Sequence, residues 1–455
     1  MTSELRRRLE ARDHTLWPDG NVAPRRLGWL DSPRRMLDQA RNLRGFADSI
    51  DQDTFVLLGM GGSALGAAAL GAVRDQLGRP AGRRAIVCDS TDPSTVAALP
   101  LEDAFIVVSS KSGTTLESNA LFSYARSRVA DPARYAVVTD PGTPLEIQAG
   151  ELGIRHVFEN PDDIGGRYSV LSYFGLLPAA LMGYDVGELC ERALDADREE
   201  AVSLGEDMGR AALAGRDKTT ILVDEPLRSF GLWVEQLIAE STGKQGRGCV
   251  PVPTTEDEPG DDRHVISVKL AEAGELGAEF FRFELAVAVA GHALDVDPFD
   301  EPDVAASKAN TLRVLDDLPL PRLAGASGDD AMELIGAQVR PGDYVSLQAY
   351  LPFGLDEQLE TLRRRVRDAH EGMAVTAGYG PRFLHSTGQL HKGGPDSVVA
   401  VQLVRSTASG ELAIPGEAYD FGTLIQAQSI ADHETLLARA RRVIRVELDG
   451  LSEIR

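Results

Sequence analysis

Short runs of consecutive apolar residues alternate with Ala/Leu-rich helical patterns over most of the chain. The runs fall at 55–60, 84–89, 104–110, 135–140 and 156–160, and the segments between them, such as 64–77 and 117–129, carry helical spacing. Strands that are apolar at every position, rather than at alternate ones, are buried on both faces, and intervening helices make the crossovers of a parallel sheet. A second series begins at 219–224 and continues through 265–270, 344–351, 373–379 and 398–404, and a long helical stretch over 169–198 joins the two. The first 50 residues lack strand character and read as helical arms with a Pro/Gly break near Pro18 and Pro24. A helix is predicted at 432–445. The expected fold is α/β, with two doubly wound parallel-sheet domains and helical N- and C-terminal extensions. The expected divisions are a helical arm over 1–50, a first domain over 51–200, and a second over 201–455 that ends in the helical segment.

Composition narrows what such a scaffold does. The chain is 43% hydrophobic and 26% charged, which is ordinary for a soluble globular protein. No apolar run approaches the ~20 residues that a membrane span requires, and the charged N-terminus lacks a signal-peptide core. Cys88, Cys190 and Cys249 lie far apart with no metal or redox spacing, as expected in a reducing cytoplasm. A net charge of −23 argues against nucleic acid or an anionic membrane as partner. A site for an anionic substrate must then be a local exception, built from backbone amides, hydroxyls and a few placed cations. Only six lysines stand against 41 arginines, so a lysine beside a motif is easy to notice.

Two loops suit an anion. Residues 55–66 read as strand, glycine turn and helix start, where glycines admit a close anion and the helix N-terminus offers free N–H groups. Gly59-x-Gly61-x-x-Ala64 with Asp89 after the second strand also suits a dinucleotide fingerprint, a weak pattern. The third strand favours phosphate. It ends in Ser109-Ser110-Lys111-Ser112-Gly113-Thr114-Thr115, a hydroxyl cluster that cradles a terminal phosphoryl group and that a hydride-transfer cofactor does not need. The plainer alternative is a Ser/Thr-rich helix cap.

Acid–base chemistry has its own candidates. Residues 236–244, Gln-Leu-Ile-Ala-Glu-Ser-Thr-Gly-Lys, place Glu240 at the end of an apolar run just before a turn, close to Lys244. Burial there lifts a carboxylate's pKa towards working pH, as a general base requires, although an ordinary helix end has the same look. Gly165-Gly166-Arg167 brings a guanidinium near a turn. Residues 297–308 form a turn feeding a helix that carries Lys308. Residues 382–394 hold His385, His391 and Lys392 in a glycine-bounded loop. The histidines are six apart with no Cys or Glu beside them, so acid–base or substrate contacts are expected and no metal.

Taken together, these motifs resemble the phosphoglucose isomerase family, built from two flavodoxin-like sugar-isomerase (SIS) domains. Residues 59–66 are similar to its Gly-x-Gly-Gly-Ser-x-Leu-Gly loop and 110–118 to its phosphate loop. Residues 165–169 are similar to its Gly-Gly-Arg-Tyr-Ser, and 236–244 to the segment carrying its catalytic glutamate. The second half departs from the common form. Its lysine helix comes early, with Glu301 and Asp303 in place of Gln and Gly, and its histidine loop comes after that helix. This order looks like the isomerase half of fused transaldolase/isomerase chains.

The resemblance implies a cytoplasmic isomerase that interconverts glucose 6-phosphate and fructose 6-phosphate through a cis-enediolate, in glycolysis and gluconeogenesis, with no cofactor or metal. Glu240 is its implied base, Arg167 its charge stabiliser, and His385 with Lys308 or Lys392 its ring-opening pair. Gly62, Ser63, Ser110, Lys111, Ser112, Thr114, Thr115, Gln236 and Lys392 are the implied substrate contacts. A homodimer that borrows a histidine from its partner is implied as well. Alternatives are a dual phosphoglucose/phosphomannose isomerase, a non-catalytic SIS sensor of sugar phosphates and, weakest, a dehydrogenase.

Overall fold

A computed structural model describes residues 2–76, 82–406 and 411–454. The first strand series forms one all-parallel sheet of β1 (Thr54–Gly59), β2 (Arg84–Cys88), β3 (Phe105–Ser109), β4 (Tyr135–Thr139) and β5 (His156–Glu159), in the order β2-β1-β3-β4-β5. β1, β3 and β4 are buried almost throughout, as continuous apolar runs require. Helix Leu65–Gln76 covers one face and helix Leu116–Arg128 the other. The predicted end of the first of these helices, Leu77, lies outside the described residues.

The second series divides into two parallel sheets. β6 (Lys218–Val223), β7 (Val250–Thr254) and β8 (Arg263–Val268) make a small sheet ordered β7-β6-β8. β9 (Ala326–Ser327), β10 (Tyr344–Tyr350), β11 (Ala374–Tyr379), β12 (Val398–Arg405) and β13 (Arg442–Leu448) make a larger one ordered β11-β10-β12-β13-β9. The sequence pattern misses β7, whose Pro251 and Pro253 break strand character; an edge position tolerates them because no neighbour needs their missing N–H groups.

The predicted helix at 432–445 is corrected too. Helix Phe421–Ala438 ends at Arg439, and β13 follows, burying Ile444, Val446 and Leu448 on alternate positions. The stretch 169–198 is two helices, Tyr173–Leu181 and Val186–Leu194, parted by Gly183 at φ +85°. Helices Pro302–Asp316 and Phe421–Ala438 pack onto the first sheet's apolar face through Val314, Leu315, Phe421, Leu424 and Ile430. That packing carries Lys308 and Gln428 to the phosphate-loop side of the first sheet.

Candidate functional site

The glycine loop after β1 is where distant segments meet. Gly61 has φ +54°, and a Cβ there would come within 2.7 Å of the His385 carbonyl. A Cβ on Gly62 would lie 2.1 Å from the Gly166 carbonyl, so only glycine lets the Arg167 turn pack this closely. The Ser109 hydroxyl donates to the Ser63 carbonyl at 2.7 Å and ties the two anion loops together. Ser110 and Thr115 hydroxyls lie 3.3 Å apart, and those of Thr114 and Ser112 2.9 Å apart.

Glu240 sits in the last turn of helix Arg228–Thr242 and is buried. Its carboxylate meets Arg167 Nη1 at 2.8 Å and accepts from Gln236 Nε2 at 3.1 Å. Gln236 Nε2 also donates to the His385 carbonyl at 2.7 Å. Burial raises the Glu240 carboxyl above the usual carboxylate range. Arg167 opposes that rise, and the nearby charge of Glu301 adds to it.

Arg167 is 4% exposed and uses its whole fork. Besides Glu240 it reaches Glu301 at 3.3 Å, the Asp300 carbonyl at 2.6 Å and the Pro298 carbonyl at 3.2 Å. Lys244 fastens the same turn, pairing with the Asp300 carboxylate at 2.7 Å and donating to the Asp297 carbonyl. Burial, with Arg167 nearby, lowers the Lys244 ammonium to about 8. Lys244 therefore braces the 297–301 turn, and the partner of Glu240 is Arg167.

On the other side of the His385 turn lies a cavity of about 220 Å³. Ser112, Thr114, Thr115, Glu117, Lys308 and His385 line it, with Glu417 and Tyr419 at its wall. His385 Nε2 lies 2.8 Å from Glu117 Oε1, which also accepts from Gln428 Nε2 at 2.7 Å. Thr91 orients Gln428 in turn through a 2.7 Å bond. Burial alone would raise the Glu117 carboxyl, but the charge and hydrogen bond of His385, with Lys308 behind them, hold it down at about 2. Glu117, Gln428 and Thr91 are absent from the residues singled out by sequence. Glu117 lies within the phosphate-loop motif, whereas nothing local marks Gln428 or Thr91.

Some expected residues are placed elsewhere. Lys111 turns from the cavity to an ion pair with Asp140. Lys392 is buried and paired with Asp432 at 2.7 Å, so it is part of the core and not of the pocket. His391, between Ser346 and Gln348, is lowered to about 3 by burial and by Lys392 and Arg441, so it is a neutral packing residue. Asp89, the acidic residue a dinucleotide fingerprint would use, is fully buried in a two-point contact with Arg382 at 2.7 and 2.8 Å. That ion pair instead clamps the His385 turn to the first sheet. Gly62, Ser63, Ser110, Gln236, Arg167 and Glu240 form a contiguous cluster beside the cavity and do not line it. Among the described residues no group of His, Cys, Asp and Glu is arranged to hold a metal ion.

A family model described as phosphoglucose isomerase matches residues 19–247, half of the chain. The chain belongs to the phosphoglucose isomerase family. A probable glucose-6-phosphate isomerase from Haloquadratum walsbyi is 34% identical over 220 residues, 44% of this chain and 50% of that one. The match thus spans about half the length of that haloarchaeal relative. The glucose-6-phosphate isomerase of Pediococcus pentosaceus is 28% identical over 417 residues, covering 69% of this chain and 92% of the relative. In fold, a crystal structure of a glucose-6-phosphate isomerase from Chlamydia trachomatis aligns with TM-score 0.51 at 18% identity, over 69% of this chain and 79% of that one.

The family model ends at residue 247. It therefore includes the glycine loop, the phosphate loop, Arg167 and Glu240, but neither Lys308 nor His385. The two departures from the common pattern both find partners, one in the first half of the chain and one in the histidine loop. Glu301 reaches Arg167, and the Asp303 carboxylate accepts from Gln389 Nε2 of the histidine loop at 2.7 Å.

Proposed function

We propose that this chain is an aldose–ketose isomerase that interconverts glucose 6-phosphate and fructose 6-phosphate through a cis-enediolate. The observation carrying the reading is the pair of acid–base clusters joined by one side chain. Gln236 bonds both Glu240 and the His385 backbone, so base and histidine are held in one frame. The hydroxyls of Ser112, Thr114 and Thr115 would take the phosphate, anchoring a part of the sugar remote from the chemistry. His385, held by Glu117 with Lys308 alongside, would assist ring opening. Glu240 would take the C2 proton and return it to C1. Arg167 would stabilise the enediolate charge, worth about 3 kcal/mol if it resembles one oxyanion-type donor.

Work in cytoplasmic glycolysis and gluconeogenesis belongs to the same reading, as does the likeness to the isomerase half of fused transaldolase chains. A binding-only SIS module has no use for Glu240, Arg167 and His385 together. The family resemblance implies a dimer sharing its histidine, yet Glu240, Arg167, Glu117 and His385 all meet within one chain here. Those contacts support a reading in which each chain supplies its own histidine.

A coupled assay for glucose 6-phosphate formed from fructose 6-phosphate, and separately from mannose 6-phosphate, tests the reading. Activity on fructose 6-phosphate alone is expected. No activity on either substrate would refute the isomerase assignment, and activity on both would make the enzyme dual. Mixing a Glu240→Gln chain with a His385→Ala chain should restore nothing after subunit exchange. Recovered activity would show that the histidine is shared between copies.

A further inference from the structure

The larger sheet repeats the winding of the first. In the first sheet, β1 lies between β2 and β3, and the helices after β1 and β3 cover opposite faces. The crevice outside the carboxyl ends of β1 and β3 is therefore a topological switch point, where ligands bind in open α/β sheets, and it holds the anion loops described above. In the larger sheet, β10 lies between β11 and β12 in the same way. Helix Asp356–Ala369 after β10 packs on one face and helix Phe421–Ala438 after β12 on the other. The carboxyl ends of β10 and β12 then form the second switch point of the chain.

That crevice is an open cavity of about 320 Å³. Tyr350 and Arg405, the last residues of β10 and β12, line it with Ser406, Ser429, Arg445 and Arg322. Three arginines face it against one carboxylate, Glu447, in a chain of net charge −23. Glu447 is already engaged, since its Oε1 accepts from the Gly325 N–H at 3.1 Å. Arg405 is held at the rim by Ser94 at 3.3 Å and, more loosely, by Asp92 at 3.7 Å.

Arg445 is the telling residue. Its guanidinium is half-buried and bonds only neutral oxygens, Gln402 Oε1 and Ser429 Oγ, each at 3.3 Å. Its Nε is buried with no hydrogen-bond partner, and it forms no ion pair among the described residues. Glu447 is the carboxylate whose charge acts on Arg445, but the two form no ion pair. The fork thus meets no anion at contact distance among the described residues, and an arginine fork is shaped to meet an oxyanion at two points.

We propose that the crevice between the carboxyl ends of β10 and β12 is a second anion site, distinct from the sugar-phosphate pocket, that binds a small oxyanion on Arg445 and Arg322. Ser406 and Ser429 line the crevice beside it, their hydroxyls donating to the Asp449 carboxylate and the Gln426 carbonyl. The ligand class is a phosphate or carboxylate small enough to enter the crevice, and its binding does not depend on the isomerase reading.

Calorimetric titration of the intact chain with inorganic phosphate tests the site, and a parallel titration with malonate separates phosphoryl from carboxylate preference. Wild type should bind two equivalents of the preferred anion, and Ser110→Ala combined with Thr115→Ala should keep the second. Arg445→Gln should lose that second equivalent with the melting temperature little changed, while Arg445→Lys should keep it with weaker affinity. Arg322 is exposed, so Arg322→Glu leaves the core untouched and should weaken the second equivalent at least about 10-fold by reversing a charge at the rim. This variant decides the matter if Arg445→Gln does not fold. No binding of either anion overturns the proposal, as does any number of equivalents left unaffected by Arg322→Glu and by every folded Arg445 variant. A single equivalent lost in those variants and kept in Ser110→Ala with Thr115→Ala supports this site and counts against the phosphate loop instead.

Discussion

Glu240 and Glu117 stand on either side of the His385 turn, both buried and each beside a cation, yet their carboxyls are displaced in opposite directions. Glu240 is raised above the usual range, whereas Glu117 is held at about 2. Burial pushes both up, so the difference lies in the partners. Glu117 has His385 on one oxygen, Lys308 nearby and a neutral donor, Gln428. Glu240 has Arg167, but Arg167 divides its donors among Glu301 and two backbone carbonyls, and Glu301 adds a second negative charge. One carboxylate is thus held ionised as a counter-ion, and the other is the easier to protonate, as the proposed base requires. Two titratable groups whose surroundings push them apart is how acid and base roles are assigned within one site.

The largest expected effect comes from removing the proposed base. Glu240→Gln should lower kcat by ~10³-fold while a sugar-acid phosphate inhibitor still binds, because the lost group acts on the barrier and not on the phosphate. Steady-state kinetics with inhibitor titration checks this, and a variant keeping a tenth of wild-type turnover would remove Glu240 from the role.

Glu117→Gln should act at the other end and more mildly, lowering turnover on the cyclic sugar by about 10²-fold through a mispositioned His385. Hydrogen exchange at C2 of an open-chain substrate should be nearly spared, since the proposed mechanism assigns that step to Glu240. The variant also has a pH signature in stability. The folded-state carboxyl lies below its ordinary 4.5, so its stabilising contribution is complete above 4.5 and is lost as pH falls towards about 2. Denaturant melts should show the gap between wild type and Glu117→Gln narrowing through that window. A gap that widens there would contradict the depressed carboxyl.

Between the two ends, Ser110→Ala with Thr115→Ala should raise KM about 10-fold and change kcat little, because a phosphate held equally in ground and transition states contributes uniform binding. A fall in kcat with KM unchanged would mean that these hydroxyls position the reacting carbons instead.

The comparison of the two glutamates also marks what the sequence could reveal. Glu240, Arg167 and the two anion loops each lie in one contiguous strand–turn–helix segment, where chemistry and local structure are read together. The doubly wound plan was legible for the same reason, from continuous apolar strands and helical spacers. What decides the carboxyls' roles lies far off in the chain, since His385 is 268 residues from Glu117 and Gln428 is 311. No local pattern reports such contacts. The lysines misled because scarcity drew attention to them, yet Lys111 and Lys392 are taken up by Asp140 and Asp432. His385 and His391 look alike as neighbours in one loop, and only their surroundings separate a cavity-lining histidine from a packing one. Helix Phe421–Ala438 stops short of the predicted end at 445, because the good helix formers from Ala438 to Arg442 mask the alternating burial of β13.

The smallest expected effect is the sharpest test of why Glu240 is raised. Glu301 stands where the common family pattern has glutamine, and it acts on Glu240 both directly, as a like charge, and by drawing on Arg167. Glu301→Gln removes both influences, and both have the same sign: the Glu240 carboxyl moves down towards its ordinary range. The base must be ionised to act, so the acid limb of kcat/KM reports its titration in the free enzyme. That limb should lie above 4.5 in the wild type and shift to lower pH in Glu301→Gln. The plateau rate should change by less than about 3-fold, since Arg167 and Glu240 keep their contact and only the base strength alters slightly. The shift itself should be small, because the Glu301 side chain is 47% exposed and water screens its charge. Raising the salt concentration should therefore shrink the difference between the two profiles. An acid limb that stays in place, or moves to higher pH, would leave burial alone responsible for the raised carboxyl and would deny Glu301 any part in setting the base.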